Sequence, residues 1–476
     1  MNNQPINIFF NKVKNIPKIF FLIFFLYVLF FCYLLITSGN LFVVDGYVYK
    51  FPVLDSDSLE YAILGKNLIE LKKFTLGSQT NFLKESFRTP GYPFFIAIIL
   101  YFFDSFVFIA LIQILLTFLS AYLIYLITQR LNLSNVKGII CALFYLIDPN
   151  VIFHSYVILS EVLFNFLFLL SVYLFFFSPM ANKNLNFFIV GILMGAATLT
   201  RPILIFILPI WSIFFFLPQK SRYSLNDILK FLFIIWIGYS VIVVPWMVRN
   251  KLDFGKFSLT SLTAYNLFHY NIPIFLASET NGSASKISEE MYKELKITPQ
   301  EAKDLSNSDK LNNYNRSFFA KNFFPYLKFH LIKTTPFFLN SGFRNFVITN
   351  NIFKDYFLRT GQLEGGNFTD LVLKKDYLGV LNFVKKKWIF SLEGLFWLSM
   401  LLISILTPFF VKEHKWVMLM FLIMILYFAL LTGPVSYSRY RMPAEPFLLI
   451  LGIGGLSFLI EKLRRLKVFM TRESKI

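Results

Sequence analysis

Four turns of this chain carry arginine beside proline or an aromatic residue at the edge of an apolar run. They are Arg88-Thr89-Pro90-Gly91-Tyr92-Pro93, Thr200-Arg201-Pro202, Pro245-Trp246-Met247-Val248-Arg249-Asn250 and Ser438-Arg439-Tyr440-Arg441-Met442-Pro443. A single guanidinium at such a place can snorkel to lipid headgroups and do nothing more. Its planar fork also matches phosphate oxygens, and the four turns together describe a phosphate-binding basin. The carboxylates are fewer. Asp55 and Asp57 lie in Leu54-Asp55-Ser56-Asp57-Ser58-Leu59-Glu60-Tyr61-Ala62, and Glu161 follows Ser160 at the mouth of an apolar stretch. An Asp at a lipid surface can take the proton of an acceptor hydroxyl or amine. Asp57 can equally cap a surface helix over Ala62 to Leu71, and the two roles are compatible. Glu161 is costly in its position unless paired or solvated, which makes a functional partner the expectation. His154 and Asp148 fall in the same stretch, where the histidine reads as a packed, hydrogen-bonded group.

The elements that must hold these residues are membrane helices. Of 476 residues, 56% are hydrophobic and 62 are Phe, and the mean hydropathy is +0.61. A bilayer takes up such a composition in stretches of about twenty apolar residues. Ile19 to Ser38 is one, without a charge, too long and too poor in small residues at its end for a removable signal segment. Ser105 to Thr128, Ile228 to Val248, Trp388 to Val411 and Pro443 to Ile460 resemble it. The net charge of +19 would fit nucleic acid, but much of the excess lies in short turns and tails beside apolar segments, where it sets orientation instead. No nucleic-acid partner is expected. Cys32 and Cys141 both sit in apolar runs and offer neither a disulfide framework nor metal spacing.

The lysine-rich turns fix a scheme of roughly ten crossings with both termini inside. The outer set is then 45–93, 154–161, 200–202, 249–387 and 437–441. Three parts are expected: a membrane core over 1–250 with a first outer loop at 39–93, an outer subdomain over 251–387, and helices with a cytoplasmic tail over 388–476. Tyr92 to Phe103 is too short to span and suits a helix on or partly in the membrane. Phe318 to Phe338 reads as an interfacial helix, and Ala277 to Asn315 as a polar surface subdomain or mobile loop. Gly138 to Ser178 must hold two crossings with Asp148-Pro149 interrupting the first. The fold class is an all-α integral membrane protein.

No glycine-rich nucleotide loop follows a strand, so an activated donor would arrive as a lipid. In their order, these motifs resemble the polytopic glycosyltransferases that use polyprenyl-phosphate sugars, the group holding the protein O-mannosyltransferases and the lipid A aminoarabinose transferase. The resemblance rests on Asp57-x-x-x-Tyr61, Arg88-Thr89-Pro90-Gly91-Tyr92-Pro93, Ser160-Glu161, Leu199-Thr200-Arg201-Pro202, Pro245-Trp246-x-x-Arg249-Asn250 and Arg439-Tyr440-Arg441-x-Pro443. It implies a multi-pass protein of a bacterial cytoplasmic membrane, its site facing outward. It implies Asp57 as base or acceptor-orienting group, with Tyr61, Arg88, Tyr92, Glu161, Arg201, Arg249, Arg439 and Arg441 as substrate-binding residues. Ser58 stands where many members have a second acid, a place Asp55 can fill. Some members bind a divalent metal; Arg88 stands where the aminoarabinose enzyme has a glutamate, so no metal or other cofactor is expected to be required. The expected partners are a polyprenyl-phosphate sugar, a lipid, glycan or protein acceptor, and membrane lipids. The alternatives are an O-antigen polymerase or ligase, and a transporter or flippase for lipid-linked sugars.

Overall fold

The computed structural model describes residues 18–473 apart from 38–40, 45–46, 51–55, 79–82, 179, 220–223, 351–353, 361, 364–367 and 411–413. The apolar runs form helices. In chain order these are α1 Lys18–Thr37, α2 Ser56–Glu70, α3 Gly91–Phe103, α4 Phe106–Arg130, α5 Asn135–Ile147, α6 Pro149–Tyr156, α7 Glu161–Phe177, α8 Lys183–Thr200, α9 Ile207–Gln219, α10 Leu225–Phe254, α11 Trp388–Phe410, α12 Lys415–Thr432 and α13 Glu445–Glu473. Shorter helices fill the region between α10 and α11. Among the described residues, strand structure is limited to a small antiparallel hairpin, Leu41–Val44 with Tyr47–Lys50, and one bridge between Thr75 and Lys84.

α1 displays what a lipid-facing helix requires. Phe20, Tyr27, Phe31 and Leu34 are buried at helical spacing, while Phe21, Leu22, Phe25 and Leu26 on the other side are exposed and equally apolar. A helix that is apolar all round yet half uncovered has hydrocarbon, not water, as its natural surroundings. Among the described residues, six helices are long and apolar enough to cross a membrane, or seven when the bent pair α5–α6 is taken as one span. The expected count of about ten therefore exceeds what length and composition support. The shortfall falls on α3, α7, the apolar part of α13 over Glu445–Ile460 and the segment Pro202–Ile213, which are apolar but shorter. Glu161 opens α7, Arg201 precedes the segment Pro202–Ile213 and Glu445 opens α13, so an ionisable residue bounds three of these four apolar stretches.

The break at Asp148-Pro149 is present as a bend of 60° between α5 and α6. The Asp148 carboxylate accepts hydrogen bonds from the backbone N–H groups of Asn150 (2.7 Å) and Val151 (3.2 Å), and Pro149 supplies the fixed φ that starts α6. α2 starts earlier than the sequence implies. Its first residue is Ser56, so Asp57 lies in the first turn instead of preceding the helix. The region after α10 is a small helical subdomain rather than a mobile loop. Phe268, Met291 and Leu311 form its core, and Phe87 from the stretch before α3 inserts into it. The expected interfacial helix over Phe318 to Phe338 is divided: its first part belongs to a longer helix, Ser308–Lys333, kinked at Asn322, and its end to the short helix Pro336–Leu339.

α8 and α10 approach each other closely, and small residues make it possible. A Cβ on Gly238 would lie 2.4 Å from the Phe188 carbonyl oxygen, and one on Gly191 would lie 2.2 Å from that of Ile235. Gly238→Val should push α10 off α8 and lower stability by about 1–3 kcal/mol, the usual scale of overpacking. Thermal unfolding in detergent reads this; an unchanged Tm would mean the crossing tolerates a wider spacing.

Candidate active site

Six charged side chains form one continuous chain in the order Glu60, Arg88, Asp57, Arg439, Glu161, Arg201. Arg88 Nε donates to Glu60 Oε2 and Arg88 Nη2 to Asp57 Oδ1, both at 2.6 Å. Arg439 Nη2 lies 3.0 Å from Asp57 Oδ2. Arg439 Nε and Arg201 Nη1 both donate to Glu161 Oε1, and Arg201 Nη1 also reaches Ser160 Oγ at 3.3 Å. Signs alternate along the whole chain. Residues separated by nearly four hundred positions thus meet in one site, built from the first turn of α2, the turn before α3, the start of α7, the end of α8 and the turn before α13.

Local chemistry explains each placement. Asp57 and Glu60 stand three apart on α2 and so share a face. Arg88 lies between them, its guanidinium 5.2 Å from the ring centres of both Tyr61 and Phe87. Gly91 permits this turn to touch the end of α8, because a Cβ there would lie 2.6 Å from the backbone of Leu199 and Thr200. Tyr61 packs edge-on against Tyr92 at 5.0 Å. Tyr92 is fully buried and donates its hydroxyl proton to Gln113 Oε1 at 2.5 Å; Gln113 Nε2 in turn donates to the Val157 carbonyl at 2.6 Å. Tyr61 and Tyr92 therefore support the site from beneath.

The remaining candidates divide. Arg249 stands apart from the charged chain and braces it: Nη1 donates to the Glu85 carbonyl at 2.7 Å, and Nε pairs with Asp253 at 2.9 Å. The Glu85 carboxylate receives the backbone N–H groups of Phe87 and Arg88, so Arg249 secures the turn that presents Arg88. Arg441 is completely buried and pairs with Glu393 and Glu445 instead. Asp55 lies outside the described residues. One member of the charged chain, Glu60, and one residue at its end, Lys303, escaped the sequence reading. Glu60 could have been found from its spacing to Asp57. Lys303, with Nζ 3.5 Å from Glu60 Oε1, comes from the helical subdomain and bears no local signal. Among the described residues no three His, Cys, Asp or Glu side chains are grouped to hold a metal ion.

Burial pushes the Asp57 carboxyl up, but the guanidinium groups of Arg88 and Arg439 outweigh it and hold the pKa below the ordinary carboxylate value. Asp57 is therefore an anion throughout the neutral range. Burial raises Glu85, against the pull of its two backbone hydrogen bonds.

Two outcomes follow from this electrostatics. Glu161→Gln leaves Arg201 and Arg439 without their shared carboxylate and should lower stability by about 2–3 kcal/mol, somewhat below the usual cost of breaking a buried pair because both arginines keep some water. Thermal unfolding in detergent measures it, and an unaltered Tm would contradict the pairing. The depressed pKa of Asp57 adds stability above its unfolded value near 4, a gain lost only as pH falls through the lower folded value. The Tm difference between wild type and Asp57→Asn should thus stay constant from about pH 5 to 8 and close below about pH 4. A difference that shrinks already near pH 6 would refute the ion-paired state.

Residues 87–260 match the sequence model of the dolichyl-phosphate-mannose-protein mannosyltransferase family. No curated protein matches the chain at significance. Among solved structures, the oligosaccharyltransferase of Archaeoglobus fulgidus in its apo form aligns with 95% of this chain and 52% of its own, at 12% identity and a TM-score of 0.50. The same archaeal enzyme with a tethered acceptor peptide gives 12% identity over 94% of this chain and 50% of its own, TM-score 0.48. With an inhibitory peptide and a dolichol-phosphate it gives 13% identity, 96% and 52% coverage and 0.47. The chain spans about half the length of these structures. Arg88, Glu161, Arg201 and Arg249 fall inside the family-matched segment, and Asp57, Arg439 and Arg441 outside it. Over residues 87–260 the chain is thus similar in sequence to the protein mannosyltransferase family, and in fold it is similar to the archaeal oligosaccharyltransferase.

Proposed function

We propose that this protein is a multi-pass membrane glycosyltransferase that moves a sugar from a polyprenyl-phosphate donor to an acceptor on the extracytoplasmic side. The observation that carries the reading is Asp57, held between the guanidinium groups of Arg88 and Arg439 at convergent helix ends. A base and a set of phosphate ligands within one hydrogen-bonded group is what such a transfer needs. The family match over residues 87–260 supports the lipid-phosphate class of donor. Glycolipids, envelope glycans and proteins are the acceptor classes, and a bacterial cytoplasmic membrane is the proposed location.

In the proposed mechanism the donor phosphate enters among Arg88, Arg201 and Arg439. It competes with Asp57 for the first and last of these and leaves the carboxylate free to accept a proton. The acceptor hydroxyl attacks the anomeric carbon, its proton passes to Asp57, and the bond from that carbon to the phosphate oxygen breaks. The polyprenyl phosphate departs with an added negative charge that the arginines already face. Glu161 keeps Arg201 and Arg439 oriented before the donor arrives, so little reorganisation remains for the reaction itself.

Transfer from a radiolabelled polyprenyl-phosphate sugar by purified protein in nanodiscs tests the reading. Asp57→Asn should lose about 10²–10⁴-fold in kcat, the scale of general base catalysis, while still binding polyprenyl phosphate. Transfer at the wild-type rate in Asp57→Asn would remove the base from the mechanism. Absence of any lipid-phosphate binding by the wild type would remove the donor class.

A further inference from the structure

Arg439 and Arg441 stand two residues apart on the four-residue helix Ser438–Arg441. Side chains so spaced do not share a helix face. Arg439 enters the charged chain, whereas Arg441 points back into the protein and is fully buried. A guanidinium has five N–H donors, and those of Arg441 are heavily used. Nε lies 3.2 Å from Glu445, Nη2 lies 3.0 Å from Glu393, and Nη1 reaches the carbonyls of Asn340 at 2.9 Å and of Phe337 and Phe338 at 3.3 Å. Its face rests 4.7 Å from the Trp397 ring centre. Little hydrogen-bonding capacity remains for a phosphate. Glu393 is itself held, accepting from Ser341 Oγ at 2.7 Å and from the N–H groups of Gly342 at 2.9 Å and Phe343 at 3.1 Å.

A single helical turn cannot hold its own shape. Two buried asparagines from the N-terminal half fasten this one at its ends. Asn150 Nδ2 on α6 donates to the Ser438 carbonyl at 2.9 Å and also meets Glu445 at 3.2 Å. Asn165 Nδ2 donates to the Met442 carbonyl at 3.3 Å. Asn165 lies one turn beyond Glu161 on α7, so one helix supplies both the carboxylate that Arg439 grips and a clamp on the backbone that carries Arg439.

We infer that Arg441, Asn150 and Asn165 are positioning residues that lock the Ser438–Arg441 turn so that Arg439 reaches Asp57 and Glu161 together, and that none of the three binds substrate. The kinetic consequence rests on the function proposed above; the mechanical one does not. Such buried shells decide whether a site is held to the fraction of an ångström that its chemistry needs.

The test uses a nitroxide at Tyr437→Cys, an exposed position next to the turn, in a Cys32→Ser background that leaves only the buried Cys141. Asn150→Ala should release the turn and narrow the spectrum, and Asn165→Ala provides the same comparison at the opposite end if the first variant does not fold. In unlabelled protein Asn150→Ala should reduce kcat/KM for the donor by about 10- to 100-fold, the scale of an ångström-level misplacement. Combined with Arg439→Lys it should add nothing further, since both act through one guanidinium. An unchanged spectrum overturns the inference whether or not transfer is observed, and losses that multiply in the double variant overturn it as well. A spectrum that narrows in a protein without transferase activity would uphold the clamp and reject the function.

Discussion

One guanidinium between two carboxylates sets the terms for the rest of this protein. Arg439 joins Asp57, from the first described helix after α1, to Glu161, which opens α7. Glu161 is almost completely buried, and a carboxylate in that setting is tolerable only with cations against it. Those cations come from the end of α8 and from the turn before α13, so these parts must converge wherever α7 begins. The convergence places the group at helix ends: Glu161 opens α7, Arg201 follows α8, and Arg88 and Arg439 precede α3 and α13.

Alternation of sign also makes the site economical for its proposed chemistry. Arginines held only by one another would repel, and acids gathered without partners would take up protons. Interleaved, they stay charged, ordered and close. An incoming phosphate adds one more anion and finds donors already aimed, the condition under which electrostatic stabilisation contributes most to a transition state. The helical subdomain between α10 and α11 reaches the same group through Phe87 and Lys303, so a region without its own charged motif still bears on how Arg88 is held.

Much of this was legible in the sequence. Arginine turns at the edges of apolar runs, and acids where none belongs, point to residues that need one another, and five of them meet: Asp57, Arg88, Glu161, Arg201 and Arg439. The break at Asp148-Pro149 was equally plain, because proline and an acid cannot continue an apolar helix unnoticed. What stayed hidden depends on direction. Arg439 and Arg441 are indistinguishable by type and neighbourhood, yet a difference of two positions on one turn sends them to opposite sides. Arg249 reads as a site residue because it borders the membrane, but its partners are the Glu85 backbone carbonyl, Asn250 and Asp253. Lys303 has nothing around it to mark it, since its partner Glu60 is contributed by a helix far away in the chain. The start of α2 was misjudged because Asp57 is a good capping residue, whereas the helix begins at Ser56 and takes Asp57 into its first turn.

In the proposed mechanism a lipid phosphate takes the place of Asp57 at the arginines. A cryo-electron microscopy structure of the protein in nanodiscs with a polyprenyl monophosphate would show whether it does. Phosphate oxygens should lie within hydrogen-bonding distance of Arg439 and of Arg88 or Arg201, with the pair between Asp57 and Arg439 opened. A phosphate bound elsewhere, with that pair intact, would rule the exchange out.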